Sequence, residues 1–216
     1  MSVLNEIAYF QNRRDDIPNQ GLAHLLAQTR NAADIREIAE NLWNKEPNIQ
    51  SDCLKVLYEL GYLAPELIAD YAGDFLKLLK QRNNRMVWGG MIAISTIAAL
   101  KADELFPHYE EIVAGMNKGS VITMDNGIKT LALIASTNAA YRQKIFPFLL
   151  DHLATCRPKE VPQHAEKSLP AVSSDNKKEF IAVLEKRMEG LSGSQLARVK
   201  KTIKAAQNTN PYSSDN

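Results

Sequence analysis

Residues able to act as nucleophiles, bases or metal ligands are few and scattered. Four histidines (His24, His108, His152 and His164) and two cysteines (Cys53 and Cys156) are spread over 216 residues. Only His152 and Cys156 stand four apart, the spacing that places two side chains on one face of a helix. Imidazole and thiolate both suit zinc, but a site takes three or four ligands, so the pair alone predicts no metal centre. The chain has no glycine-rich phosphate loop, no Gly-x-Ser-x-Gly elbow and no His-Glu-x-x-His. Its carboxylate pairs, Asp15-Asp16 and Glu110-Glu111, read as turn caps and solvated faces. No catalytic residue, metal or cofactor is expected.

One segment stands apart. RMVWGGMIAISTIAAL, starting at Arg85, reads as an apolar helix with adjacent glycines in its interior. Each costs about 1 kcal/mol relative to alanine, so close approach of another helix or an open floor beside Trp88 must compensate. The second option makes Arg85 and Trp88 candidates for holding a ligand.

The elements that position these residues are helical throughout. Apolar residues at Leu105, Phe106, Tyr109, Ile112, Val113 and Met116 predict one amphipathic helix. Similar stripes run through Ile35, Ile38, Leu42 and Trp43, through Cys53, Val56, Leu57 and Leu60, and through Phe180, Leu184 and Met188. Breaks fall at Pro18, Pro47, Pro65, Asn83-Asn84, Gly119-Ser120 and Arg157-Pro158. The helices also repeat. CLKVLYELGYLAPELIADY from Cys53 aligns with MIAISTIAALKADELFPHY from Met91, an offset of 38, and the latter aligns at 37 with IKTLALIAS from Ile128. A further offset of 38 sets Lys129 over Lys167. One register then puts Gln50, Trp88, Asp125 and Gln163 at matching positions of successive second helices, where they are expected to face one groove. Asp125 doubles as a candidate N-cap of its helix.

Composition excludes several classes. Lys plus Arg number 26 and Asp plus Glu 25, a net charge of +1, so no global charge drives polyanion binding. The longest uncharged run, Met86–Leu100, is too short to span a bilayer, and no membrane role is expected. Two cysteines and a start lacking an apolar signal core point to a reducing cytoplasm with both thiols free. Charge is uneven: residues 1–108 carry 11 basic and 14 acidic side chains, residues 109–216 carry 15 and 11. Arg198, Lys200, Lys201 and Lys204 form a basic edge on the last helix, opposite Leu196, Val199 and Ile203. Such an edge serves either a polyanion or the solubility of a terminal repeat.

The repeat, with Pro107 and Pro147 in first helices and Asp125 opening the apolar second helix TMDNGIKTLALIA, resembles the HEAT and armadillo-like class over about residues 20–207. The resemblance implies an all-α fold, an α-solenoid of antiparallel helix pairs with a period of about 38 residues. It is expected to form one domain over 1–207, with a disordered tail over 208–216. It implies a non-enzymatic scaffold holding a protein or peptide in its groove. A second resemblance rests on IREIAENLWNKEPNIQSDCLKVLYELGY, which is similar to early repeats of the HEAT-like alkylpurine DNA glycosylases through Leu42, Trp43 and Asp52. It implies a DNA-binding or DNA-repair role in which Trp88 and Asp125 face a damaged nucleotide. The chain departs from that pattern at Ile92, one turn after Trp88, and has no Arg-Arg pair in its later repeats.

Overall fold

The computed structural model describes residues 2–209, so most of the tail expected to be disordered lies outside the described residues. Among the described residues every regular element is helical. The chain divides into two compact units, Met1–Gly127 and Ile128–Asn216.

The first unit begins with a 3-10 turn at Val3–Glu6 and continues through α1 (Ile17–Thr29), α2 (Ala32–Glu40), α3 (Pro47–Leu63), α4 (Ala72–Leu78) and α5 (Asn84–Ile97). It then runs through α6 (Ala102–Leu105), α7 (Tyr109–Lys118) and the opening of α8 (Val121–Thr137). The second unit takes the rest of α8, then α9 (Ala139–Thr155), α10 (Val161–Ser168), α11 (Lys177–Arg187) and α12 (Gly193–Gln207). The second helices α3, α5 and α8 open at residues 47, 84 and 121, a step of 37 each time. The repeat seen in sequence is thus a structural period.

Helix starts follow from local chemistry. Asn31, Asn83 and Asn138 are N-caps whose side chains accept backbone N–H bonds, and Glu46 does the same from Asn48 with Pro47 in the first turn. Ahead of α8, Ser120 and Thr123 bond reciprocally, each backbone N–H donating to the other's hydroxyl. Asp125 lies in the second turn, so it does not cap α8 as expected. Ser120 fills that role.

The helices depart from the apolar periodicity at two places. The single helix expected from Leu105 to Met116 is broken: α6 ends at Leu105, a 3-10 turn spans Phe106–His108, and α7 begins at Tyr109. Pro107 has no N–H for an α-helical bond, which accounts for the break. Pro147, by contrast, is accommodated inside α9. The stripe ending at Trp43 also fails at its last member. Helix α2 stops at Glu40 and Trp43 lies in a 3-10 turn, 45% exposed, with Lys77 Nζ 6.0 Å from its ring centroid.

The core of the first unit is aliphatic. Leu54, Leu57, Leu60, Ile68, Phe75 and Leu78 are almost fully enclosed, each leucine contributing about 1.5–3 kcal/mol by burial. The second unit is built around Ile145, Leu149, Phe180, Leu184 and Val199, again fully buried. No helix among the described residues is long and apolar enough to cross a membrane.

Candidate binding face

The adjacent glycines of α5 are explained by packing. A Cβ on Gly89 would stand 2.5 Å from Leu54 Cδ2, and one on Gly90 would stand 2.9 Å from Leu78 Cβ and 3.2 Å from the Phe75 carbonyl oxygen. The absent side chains let α3 and α4 close onto α5. Beside Trp88 they leave a narrow slot lined in part by Gly89 rather than an open floor.

Trp88 nevertheless remains half-buried at the edge of this contact. Its indole lies 6.2 Å from the Tyr58 ring, tilted by 57°, and Tyr58 meets Tyr62 edge-on at 6.4 Å. Tyr58 is buried while Tyr62 is 52% exposed, so the aromatic line runs from beneath the surface out to it. Lys55 places its ammonium 4.9 Å from the Tyr58 centroid and bridges Glu59 at 2.7 Å and Asp16 at 3.4 Å. Burial works against the Lys55 charge, but hydrogen bonds with Glu59 and Tyr58 outweigh it and its pKa is raised. Ser51, Lys55, Tyr58, Arg85 and Trp88 line a narrow slot. Arg85 is exposed and its guanidinium has no ion-pair partner among the described residues.

Arg85 also reaches a larger cavity of about 660 Å³, walled by Tyr9, Phe10, Arg13, Arg14, Asp15, Asp16 and Asp52. Arg13 is taken up by Asp15 at 2.9 Å. The buried Asp52 accepts bonds from Tyr9 N–H at 2.8 Å and Asn19 Nδ2 at 3.0 Å, so it anchors the N-terminal segment. It lies in the second turn of α3, which Glu46 caps.

Gln50, Trp88 and Asp125 occupy the first two turns of α3, α5 and α8, and Gln163 the corresponding stretch of α10 in the second unit. Gln50 is engaged locally, donating to the Asn44 carbonyl at 2.6 Å. Trp88 and Arg85 are brought together at one slot. Asp125 is half-buried one residue before Asn126, whose side-chain oxygen accepts from Ser95 at 3.4 Å across to α5.

In the second unit, Arg198 forms a bidentate pair with Glu166 at 2.8 and 2.6 Å, while Lys200, Lys201 and Lys204 remain exposed. That hydrogen bonding holds the Glu166 carboxyl below its ordinary range and raises Arg198.

Sequence spacing missed one grouping. His164 of α10 lies beside the His152 and Cys156 pair, with His152 Nε2 and His164 Nδ1 2.8 Å apart. Burial first, and the neighbouring His164 second, lower the His152 pKa to about 4, and burial raises the Cys156 thiol. The signal was available: His152 and His164 lie six residues on either side of Pro158, where the chain reverses.

No family model and no curated protein matches the chain. Solved structures do. An engineered protein superposes with a TM-score of 0.66 at 14% identity, covering 96% of this chain and 97% of that one. A computationally designed armadillo repeat protein for modular peptide recognition gives 0.64 at 15% identity over 88% and 94% of the two chains. A designed armadillo repeat protein in complex with a (KR)4 peptide gives 0.67 at 16% identity over 95% and 98%. The fold is that of an armadillo or HEAT-like α-solenoid, and at these identities the likeness establishes the fold alone.

Proposed function

We propose that the chain is a non-enzymatic scaffold that holds a peptide segment on the α3–α5 face of its first unit. One observation carries the reading: Trp88, half-buried against Tyr58, shares a narrow slot with Arg85, whose guanidinium has no ion-pair partner among the described residues and also borders the cavity of about 660 Å³. Aromatic and arginine side chains in partly closed pockets are the groups that dominate binding energy at protein interfaces. Charge on the face is balanced. Lys55 is offset by Glu59 and Asp16, and Arg13 by Asp15. Such a surface suits a peptide with an apolar anchor and an acidic neighbour for Arg85 better than it suits a phosphate backbone, which calls for a run of free cations. Two designed solenoids of this fold are described as peptide binders, which supports the reading by analogy.

The test is selection of peptides from a random display library on the full chain, with a Trp88→Ala chain for counter-selection. The expected result is a family of peptides sharing an apolar anchor and an acidic residue, bound at least about tenfold more weakly after Trp88→Ala, a loss of about 1.4 kcal/mol. Failure to enrich any Trp88-dependent sequence overturns the proposal. Tight, salt-steep binding of duplex DNA that depends on Trp88 and Asp125 would point to the DNA-repair alternative.

A further inference from the structure

We propose that His152, Cys156 and His164 form a transition-metal site, with Zn2+ as the ion it suits best. The reading is independent of the peptide-binding face, since all three residues belong to the second unit. Their ligand atoms, one from each side chain, all lie within 4.8 Å of one another. Two elements and the turn between them supply them. His152 projects from the last turn of α9, and Cys156 follows that helix, its N–H bonded to the His152 carbonyl at 2.8 Å. After a 3-10 turn at Pro158–Glu160, His164 projects from α10.

The surroundings hold the ligands in place. His164 is fully buried, and the Ser168 hydroxyl donates to its carbonyl at 2.8 Å. The guanidinium of Arg187 donates to the carbonyls of Ala154 and Cys156, fixing the strand of chain that carries the thiol. Phe148 stacks on the His152 ring with an interplanar angle of 21°. His152 and Cys156 are only partly buried, which leaves a route in from solvent.

Donor chemistry selects the ion. Two imidazoles and a thiolate, with no oxygen among the three, disfavour Mg2+ and Ca2+ and suit a borderline cation such as Zn2+. In a tetrahedral zinc site, Zn–N near 2.0–2.1 Å and Zn–S near 2.3 Å place donor atoms about 3.3–3.6 Å apart. The two histidine nitrogens would open by roughly 0.6 Å from their present 2.8 Å, and the widest pair would close by about 1.2 Å. Small side-chain rotations suffice. Bound thiolate and two neutral imidazoles leave the site with a charge of about +1, while the Glu160 carboxylate nearby is already held by the Arg157 guanidinium. The fourth position falls to water. An ion here would tie α9 to α10.

Full-length protein, reduced and stripped with a chelator, is titrated with Co2+ and then with Zn2+ in competition with a chromophoric chelator. The expected result is one ion per chain, with a thiolate-to-cobalt charge-transfer band in the near ultraviolet that Zn2+ abolishes. Cys156→Ser is expected to remove the band. Outer partners of a metal site are worth 10–100-fold in affinity, so loss of a ligand is expected to weaken Zn2+ binding by more than about 100-fold. His152→Gln is expected to weaken it similarly, and circular dichroism checks that each variant keeps its helices. Cys53→Ser serves as the control and is expected to leave the spectrum unchanged. Absence of a one-to-one complex, or a cobalt spectrum identical in wild type and Cys156→Ser, overturns the proposal.

Discussion

Trp88 of α5 and Tyr58 of α3 stand with ring centroids 6.2 Å apart, joining neighbouring second helices at the candidate binding face. Tilted aromatic pairs of this kind contribute about 0.5–1.5 kcal/mol beyond burial. A double-mutant cycle of Trp88→Ala and Tyr58→Ala, followed by urea unfolding, is expected to give a coupling energy of that size. A coupling near zero would show that the two rings share a surface without supporting each other.

The glycine pair of α5 makes an asymmetric prediction. Gly90 faces the Leu78 Cβ and the Phe75 backbone, which cannot yield without moving α4, whereas Gly89 faces the branched end of Leu54. Gly90→Ala is expected to destabilise by about 1–3 kcal/mol through overpacking. Gly89→Ala is expected to cost less, because Leu54 can turn aside and alanine returns about 1 kcal/mol of helix propensity. Chemical denaturation of the two variants checks the order.

Asp52 joins α3 to the start of the chain through Tyr9 N–H and Asn19 Nδ2, and Asn19 in turn accepts from Ala8 N–H at 2.9 Å. Asp52→Ala leaves buried donors without acceptors. It is expected to cost about 3–6 kcal/mol, from two bonds to a carboxylate at about 1.5–3 kcal/mol each. It is also expected to expose the segment before α1 to proteolysis. Asp52→Asn keeps one acceptor oxygen and is expected to lose roughly half as much. Limited proteolysis with unfolding curves separates the two variants.

The repeat was legible in sequence because each second helix carries the same apolar spacing between the same kinds of breaker, and a spacing of residues survives translation into a spacing of helices. What failed was local. Trp43 continues an apolar stripe on paper, but α2 ends three residues earlier and the ring faces out. Asp125 is a good N-cap residue, yet Ser120 lies at the actual helix start. For the candidate site, the glycine pair drew attention to Trp88 and Arg85, but the register that aligned Trp88 with Gln50 could not show that Gln50 is engaged by the Asn44 carbonyl. Contacts made across a chain reversal, such as His152 with His164, need the position of the turn, which spacing along one helix does not supply.

Cys53 is buried in α3, and burial, with Asp52 and Glu37 adding to it, pushes its thiol up from the ordinary value near 9 to about 12. The thiolate is the reactive form, so Cys53 is expected to resist alkylation at neutral pH until the chain unfolds. Cys156, half-exposed, is expected to label first. The sign for stability follows from linkage: the unfolded thiol ionises more readily than the folded one, so stability falls as pH rises above about 9 toward 12. Mass spectrometry of timed alkylation in the native state, and unfolding curves at alkaline pH for wild type and Cys53→Ala, check both parts.

The terminal basic edge is smaller than its composition suggests. Arg198 is held bidentately by Glu166, which leaves Lys200, Lys201 and Lys204 exposed, with Lys201 also near enough to favour the Glu166 carboxylate. Each phosphate neutralised on duplex DNA changes the slope of log affinity against log salt by about −0.9, so three lysines support a slope no steeper than about −3. That is well below the six to ten contacts typical of salt-sensitive DNA binding. Short duplex DNA is therefore expected to show no measurable anisotropy change near physiological salt. Lys200→Ala with Lys201→Ala is expected to shift folding stability by less than about 0.5 kcal/mol, as exposed charges usually do. Arg198→Ala is a sharper probe. It returns the Glu166 carboxyl toward its ordinary pKa, so any stability the pair contributes, present above that ordinary value and lost as pH falls through the lowered one, would disappear from the acid limb of the profile. Steeply salt-dependent DNA binding abolished by the double lysine variant would instead make this edge a nucleic-acid contact.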